Sequence, residues 1–165
     1  MLVGLPGVGK TTIGRAAAKR LDWRFLDFDE EIERRAGMEV REIFRTAGES
    51  HFRALEHEVT VEMSGACGMV LSPGGGWITQ TASVELLRPA ARIIYLRASP
   101  EAVARRLRRV ETRPLLAGRD PVEVLRELHG KQRSLYETAD HVIDAEKHGR
   151  QQLIEQIAGL GRALK

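Results

Sequence analysis

The 165-residue sequence predicts a three-layer α/β fold, with a five-stranded parallel sheet flanked by helices. Three observations carry that expectation. Short apolar runs suited to buried strands alternate with amphipathic stretches of helical period, which is the pattern of a helix-flanked parallel sheet. Residues 4–12 read G-L-P-G-V-G-K-T-T and fill the template G-x-x-x-x-G-K-[ST] through Gly4, Gly9, Lys10 and Thr11. The match lies between an apolar strand stub and an amphipathic helix, the context that makes such a loop bind phosphate, so the expected fold is a P-loop fold.

The elements follow in order. Ile13, Ala17 and Leu21 recur every four residues and give the first helix its apolar stripe, which ends before Asp22-Trp23. Residues 24–29 read as a strand whose end carries Asp27 and Asp29, two apart and therefore expected on one face. Residues 30–36 are expected to be helical, with Glu30/Arg34 and Glu31/Arg35 as i,i+4 pairs and Gly37 as the stop. A longer helical stretch from Val40 to Met63 is interrupted near Gly48 and places Arg53 and Glu56 on one face. Met69–Ser72 is a short buried strand running into Pro73 and the triplet Gly74, Gly75, Gly76.

A helix over 79–87, a strand over 92–96 and a helix from Pro100 to about Arg109 come next. Residues 110–121 hold two prolines and a glycine and read as a mobile loop. A helix over 122–136, a strand at 141–144 and a closing helix marked by Leu153, Ile157 and Leu160 complete the chain. No internal repeat interrupts it, and one domain over 1–165 is expected.

Composition excludes several function classes. Charged residues make up 30% and hydrophobic ones 42%, which is ordinary for a globular chain rather than a disordered one. No apolar run reaches the roughly 20 residues of a membrane-spanning helix, so no membrane partner is expected. The net charge of +3 is spread among acids except near 105–109, which reads as a helix face serving an anion and not as a nucleic-acid patch. The lone Cys67 excludes an internal disulfide and fits a cytoplasmic location, and no signal peptide is expected ahead of the first strand.

The loop states its chemistry directly. Glycines let successive backbone N–H groups converge on an anion, and the following helix adds its positive end. Lys10 is expected to reach the β- and γ-phosphates of a nucleotide and Thr11 to offer its hydroxyl to Mg²⁺.

With that loop, the D-x-D of Asp27 and Asp29, Phe52-Arg53, the glycine triplet and R-P-L-L at 113–116, the chain resembles shikimate kinase over nearly its whole length. The resemblance implies transfer of the γ-phosphoryl of ATP to the 3-hydroxyl of shikimate, with ATP and Mg²⁺ as cofactors and a monomer as the working form. It implies that Gly7, Val8, Gly9, Lys10, Thr11 and Thr12 cradle the nucleotide, that Arg106 flanks its adenine, and that Arg113 closes over the phosphates from a lid at about 110–121. A helical region at about 29–63 would bind the acceptor. In it Asp29 meets the acceptor hydroxyl as base, Arg53 grips the carboxylate as a planar guanidinium fork can, and Glu56 is placed to hold Arg53. Asp27 joins Thr11 at the metal through water, and Gly74, Gly75 and Gly76 let backbone approach the ring.

The sequence departs from the family at one point. Four residues before Tyr136 the family has an arginine of the carboxylate clamp, but Gln132 stands here, and Arg133 is expected to replace it. Trp77 is open between walling the site and filling the core. The competing readings are another small-molecule kinase, such as one acting on gluconate, and a non-catalytic ligand-sensing domain.

Overall fold

The computed structural model describes residues 1–107 and 119–164. Two apolar residues form β1 (Leu2–Val3), and Gly4 then turns the chain into the loop that leads to α1 (Lys10–Leu21). Next come β2 (Arg24–Asp27), α2 (Phe28–Ala36), α3 (Val40–Met63) and β3 (Met69–Ser72). A single turn of 3₁₀ helix (Trp77–Thr79) precedes α4 (Thr81–Leu87), and the chain continues through β4 (Ile94–Arg97), α5 (Pro100–Leu107) and α6 (Pro121–Tyr136) to β5 (His141–Asp144) and α7 (Arg150–Arg162).

All five expected strands are present and every pairing is parallel, but they do not make one continuous sheet. One ladder runs β1-β4-β5 and a second joins β2 to β3. β1 approaches β3 to within 8 Å between Cα atoms without joining its ladder. The expectation of a five-stranded sheet is corrected on this point, and the length of β1 is the reason. Successive residues of a strand turn their N–H and C=O to opposite edges, so a two-residue strand has one residue's groups for each edge. β1 registers against β4, with Leu2 opposite Ile94 and Val3 opposite Tyr95.

Helices flank the strands. α1 packs on α7, and α5 on α6. Tyr136 of α6 stacks on Tyr95 of β4 at 4.9 Å between ring centroids, and both rings are fully buried along with Phe28 and Trp77. Gly37 ends α2 in the left-handed conformation (φ 68°), as its lack of Cβ permits. Gly48 interrupts α3 at φ 81°, ψ 172°, a region essentially closed to other residues, so the break expected there is a backbone feature. Among the described residues no helix is long and apolar enough to cross a membrane.

Several boundaries shift for local reasons. Asp120 caps α6 by accepting the Val122 N–H, with Pro121 at the first helical position, so the helix starts one residue earlier than expected. The pair Glu31/Arg35 forms, but Glu30 and Arg34 do not meet: Glu30 reaches Arg15 of α1 and Arg34 pairs with Glu31. The expected end of the fifth helix at Arg109, and most of the lid, lie outside the described residues.

Candidate functional site

The C-terminal ends of β1, β2 and β3 converge on one side of the strands, where open parallel sheets bind their ligands. β1 delivers the glycine-rich loop there. Gly9 sits at the N-cap of α1 with φ 109°, and Gly4 has φ 145° with room for no Cβ, which would stand 2.7 Å from the Leu96 carbonyl oxygen. No side chain caps α1 and its first turn has no acidic residue, so the loop and helix start face the cleft as a donor array. Lys10 is buried, and its Nζ donates to the carbonyls of Gly4 (2.9 Å) and Leu5 (3.2 Å). Val8 is buried and Thr12 exposed on the following turn.

β2 delivers Asp27. Its Oδ2 accepts from the Thr11 hydroxyl at 2.6 Å, while Oδ1 caps α2 by accepting the N–H groups of Asp29 (3.0 Å) and Glu30 (3.4 Å). One carboxylate thus joins the loop to the start of α2. This arrangement also corrects the expected strand over 24–29. β2 stops at Asp27 because that side chain starts a helix, and Asp29 lies in the first turn of α2 rather than beside Asp27 on a strand face. A helical turn carries Asp29 toward the glycine triplet instead.

Each glycine of that triplet meets a different partner. A Cβ on Gly74 would stand 2.8 Å from Glu56 Oε1 and 3.2 Å from Asp29 Oδ1, and one on Gly75 would stand 2.8 Å from Pro6 of the phosphate loop. A Cβ on Gly76 would be 2.2 Å from Arg53 Nη2. Residues 74–76 therefore form the seam along which loop, acid and guanidinium come together. Tyr136 fastens the seam, its hydroxyl lying 2.6 Å from the Gly75 carbonyl oxygen and 2.8 Å from Gln132 Oε1.

Arg53 is held from two sides on α3. Nη1 donates to Glu56 Oε2 at 2.5 Å, and Nη2 and Nε donate to Glu49 Oε1 at 3.0 and 3.2 Å. Glu56 is fully buried and also accepts from Gln80 Nε2 at 2.8 Å. Burial pushes its carboxyl above the usual range against the pull of Arg53, with the Asp29 charge adding to the rise. Burial opposes the Arg53 charge too, but Glu56 and Glu49 outweigh it and hold the guanidinium above its ordinary value.

The remaining expected site residues divide. Arg106 lies against the loop, donating to the carbonyls of Val8 (3.1 Å) and Ala145 (2.6 Å). Arg113 lies outside the described residues. Arg133 is not brought to the cleft: its side chain is 65% exposed and its Nε donates to Glu137 at 2.8 Å. The buried residue of that turn is Gln132, because neighbours on a helix point about 100° apart. Trp77 belongs to the core, fully buried with Nε1 donating to Thr60 at 2.9 Å. Gln80 on Glu56, Tyr136 on Gly75 and Pro6 against Gly75 were not foreseen, since contacts across 24, 61 and 69 positions leave no local pattern in a sequence. Among the described residues no three acidic, histidine or cysteine side chains could enclose a metal ion. The hydroxyl and carboxylate of Thr11 and Asp27 instead fit a Mg²⁺ that keeps most of its waters and phosphate oxygens.

Comparison with known proteins gives consistent results. The family model described as shikimate kinase matches residues 6–160. A shikimate kinase from Thiobacillus denitrificans is 41% identical over 164 residues, covering 99% of this chain and 86% of that protein. Among solved structures, shikimate kinase from Acinetobacter baumannii in complex with shikimate superposes with a TM-score of 0.89 at 38% identity, covering 99% of this chain and 92% of that one. A gluconokinase from Sinorhizobium meliloti has a TM-score of 0.64 at 16% identity, a likeness of fold alone.

Proposed function

That the chain belongs to the shikimate kinase family is the premise from which we propose that it transfers the γ-phosphoryl group of ATP to the 3-hydroxyl of shikimate, releasing ADP and shikimate 3-phosphate. The observation that carries this reading is the glycine seam, where Asp29, the phosphate loop and Arg53 abut three consecutive residues. An acceptor with a hydroxyl at one end and a carboxylate at the other spans such a seam. The relative from Acinetobacter baumannii, solved with shikimate, supports the choice of acceptor.

The roles follow from the chemistry of each group. Backbone amides at residues 7–12 and the start of α1 receive the β- and γ-phosphates, and Lys10 exchanges loop carbonyls for phosphate oxygens as the nucleotide enters. Mg²⁺ would be held by the Thr11 hydroxyl and, through water, by Asp27, where it neutralises charge on the phosphates. Asp29 accepts the proton of the 3-hydroxyl as the new P–O bond forms and the bond from phosphorus to the leaving ADP oxygen breaks. Arg53 takes the carboxylate, and the proposed lid around Arg113 excludes water. Arg106, fixed on Val8 and Ala145, borders the adenine. Gln132 takes the clamp position in place of Arg133. The lone Cys67 supports placing this reaction in the reducing cytoplasm.

A coupled ADP-release assay tests the proposal. ADP should appear when ATP, Mg²⁺ and shikimate are supplied together and fall to background without shikimate. Faster release with gluconate than with shikimate would overturn the acceptor assignment, and nucleotide binding without turnover on either would favour a sensing role.

A further inference from the structure

We propose that Glu56 is a positioning residue that takes up a proton when the acceptor carboxylate binds, so that carboxylate capture by Arg53 is coupled to protonation of Glu56. This inference rests on the reading that Arg53 binds the carboxylate of shikimate.

The two carboxylates on Arg53 differ in freedom. Glu49 has a side chain 65% exposed, and it occupies the Nε/Nη2 edge, the edge that offers a fork to a planar carboxylate. It can swing into water when a competing anion arrives. Glu56 cannot leave, because its carboxylate has no exposed surface and is held on Oε2 by Arg53 and Gln80. An acceptor carboxylate on the outer edge therefore leaves one guanidinium between two anions.

The opposite oxygen of Glu56 shows where the proton goes. Oε1 is buried without a well-formed hydrogen bond, and the Gly74 amide gives Glu56 only the weakest of the pulls toward its charged form. It faces the same spot as Asp29 Oδ1, the two standing 2.8 and 3.2 Å from where a Gly74 Cβ would lie and hence within about 6 Å of each other. The charged and titratable groups facing Glu56 are Arg53 from α3, with Glu49 behind it, and Asp29 from α2, while Gln80 contributes only a neutral amide. Tyr136 of α6 reaches the cluster through Arg53 and is kept in its neutral form by burial. These groups set one positive charge, Arg53, against the acids Glu56, Glu49 and Asp29, of which Glu49 is the exposed one. Replacing a water-screened Glu49 by an enclosed carboxylate strengthens the negative field on Glu56 and removes water from it, and both effects favour the protonated acid. A proton from solvent on Oε1 cancels one charge and leaves Arg53 to the acceptor.

Calorimetric titration of shikimate into the full chain, in buffers of different ionisation enthalpy at one pH, reads the proton directly. Proton uptake makes the observed heat depend on the buffer, and the Kd rises by up to about tenfold per pH unit above the pKa of unliganded Glu56. In Glu56→Gln, whose amide oxygen still accepts from Arg53, the heat should become independent of buffer and the pH slope should flatten. Buffer-independent heat in the wild-type protein would overturn the inference whether or not the variant folds, as would the same uptake in Glu56→Gln. Absence of any shikimate binding or turnover is a different failure, which removes the acceptor assignment itself.

Discussion

Gly76→Ala separates acceptor binding from folding more cleanly than any change at Arg53 itself. Gly76 has φ −86° and ψ −7°, which alanine adopts without strain, so the backbone cost is small. The new methyl would stand 2.2 Å from Arg53 Nη2, 2.8 Å from Cζ and 2.9 Å from Nη1. Ordinary carbon contacts lie at about 3.5–4 Å, so the guanidinium must retreat by more than about 1 Å. It is the end of a long side chain, 25% exposed, and can retreat without unfolding its surroundings. A displaced fork loses a charge-assisted hydrogen bond worth about 1.5–3 kcal/mol, or roughly 10- to 100-fold in acceptor affinity. Initial-rate kinetics should therefore show KM for shikimate rising by that factor while KM for ATP stays within about twofold, and Tm should fall to the extent that the retreating guanidinium loosens its bond to the buried Glu56. An unchanged KM for shikimate in a folded variant, or an equal rise for both substrates, would refute the placement of Arg53 at the acceptor carboxylate.

Three further outcomes are expected. Asp29→Asn should lower kcat by about 10²- to 10⁴-fold while ATP affinity measured by calorimetry is retained, because the amide keeps the shape but accepts no proton. Tyr136→Phe removes the donor to the Gly75 carbonyl and should cost about 1–3 kcal/mol in urea unfolding, with a weaker acceptor KM as the seam loosens. Arg34 holds the Glu31 carboxyl down to about 2, against the opposing effect of burial and with help from Arg35. Since this folded value is depressed, the stabilisation is present above the unfolded value of 4.5 and is lost as pH falls through about 2. Glu31→Gln should thus be less stable at neutral pH by about 1 kcal/mol after allowance for the solvent around Arg34, and the gap to wild type should close on acidification.

Much of the site was legible because its parts are short and local. The phosphate loop needs glycines at fixed offsets before a helix, and Gly4, Gly9, Lys10 and Thr11 announce it with no tertiary information. Arg53 and Glu56 are three apart on a helix, so their meeting on α3 follows from helical period alone. Asp29 was harder to place. Its spacing from Asp27 suits a shared strand face, yet the same Asp27 carboxylate that a strand would present is also a good helix cap, and capping prevailed. Arg133 shows the same difficulty: local spacing could not tell which of two adjacent helical residues faces inward, and packing of Leu125 and Tyr136 turned Gln132 to the inside.

By itself, then, the sequence determined the parts whose partners lie within a turn or two: the anion cradle, the α/β alternation, the Arg53–Glu56 pair and the stops at Gly37 and Gly48. Tertiary structure alone decided how those parts face one another. It parted the strands into two ladders beside a two-residue β1, drew Glu56 under Gln80, set Trp77 in the core, and laid Gly74, Gly75 and Gly76 against Asp29, Pro6 and Arg53. The reason is physical. Short-range order depends on dihedral preference and helical period, which each residue carries with it, whereas a contact across tens of residues exists only once the buried surfaces of the whole chain have found their common packing.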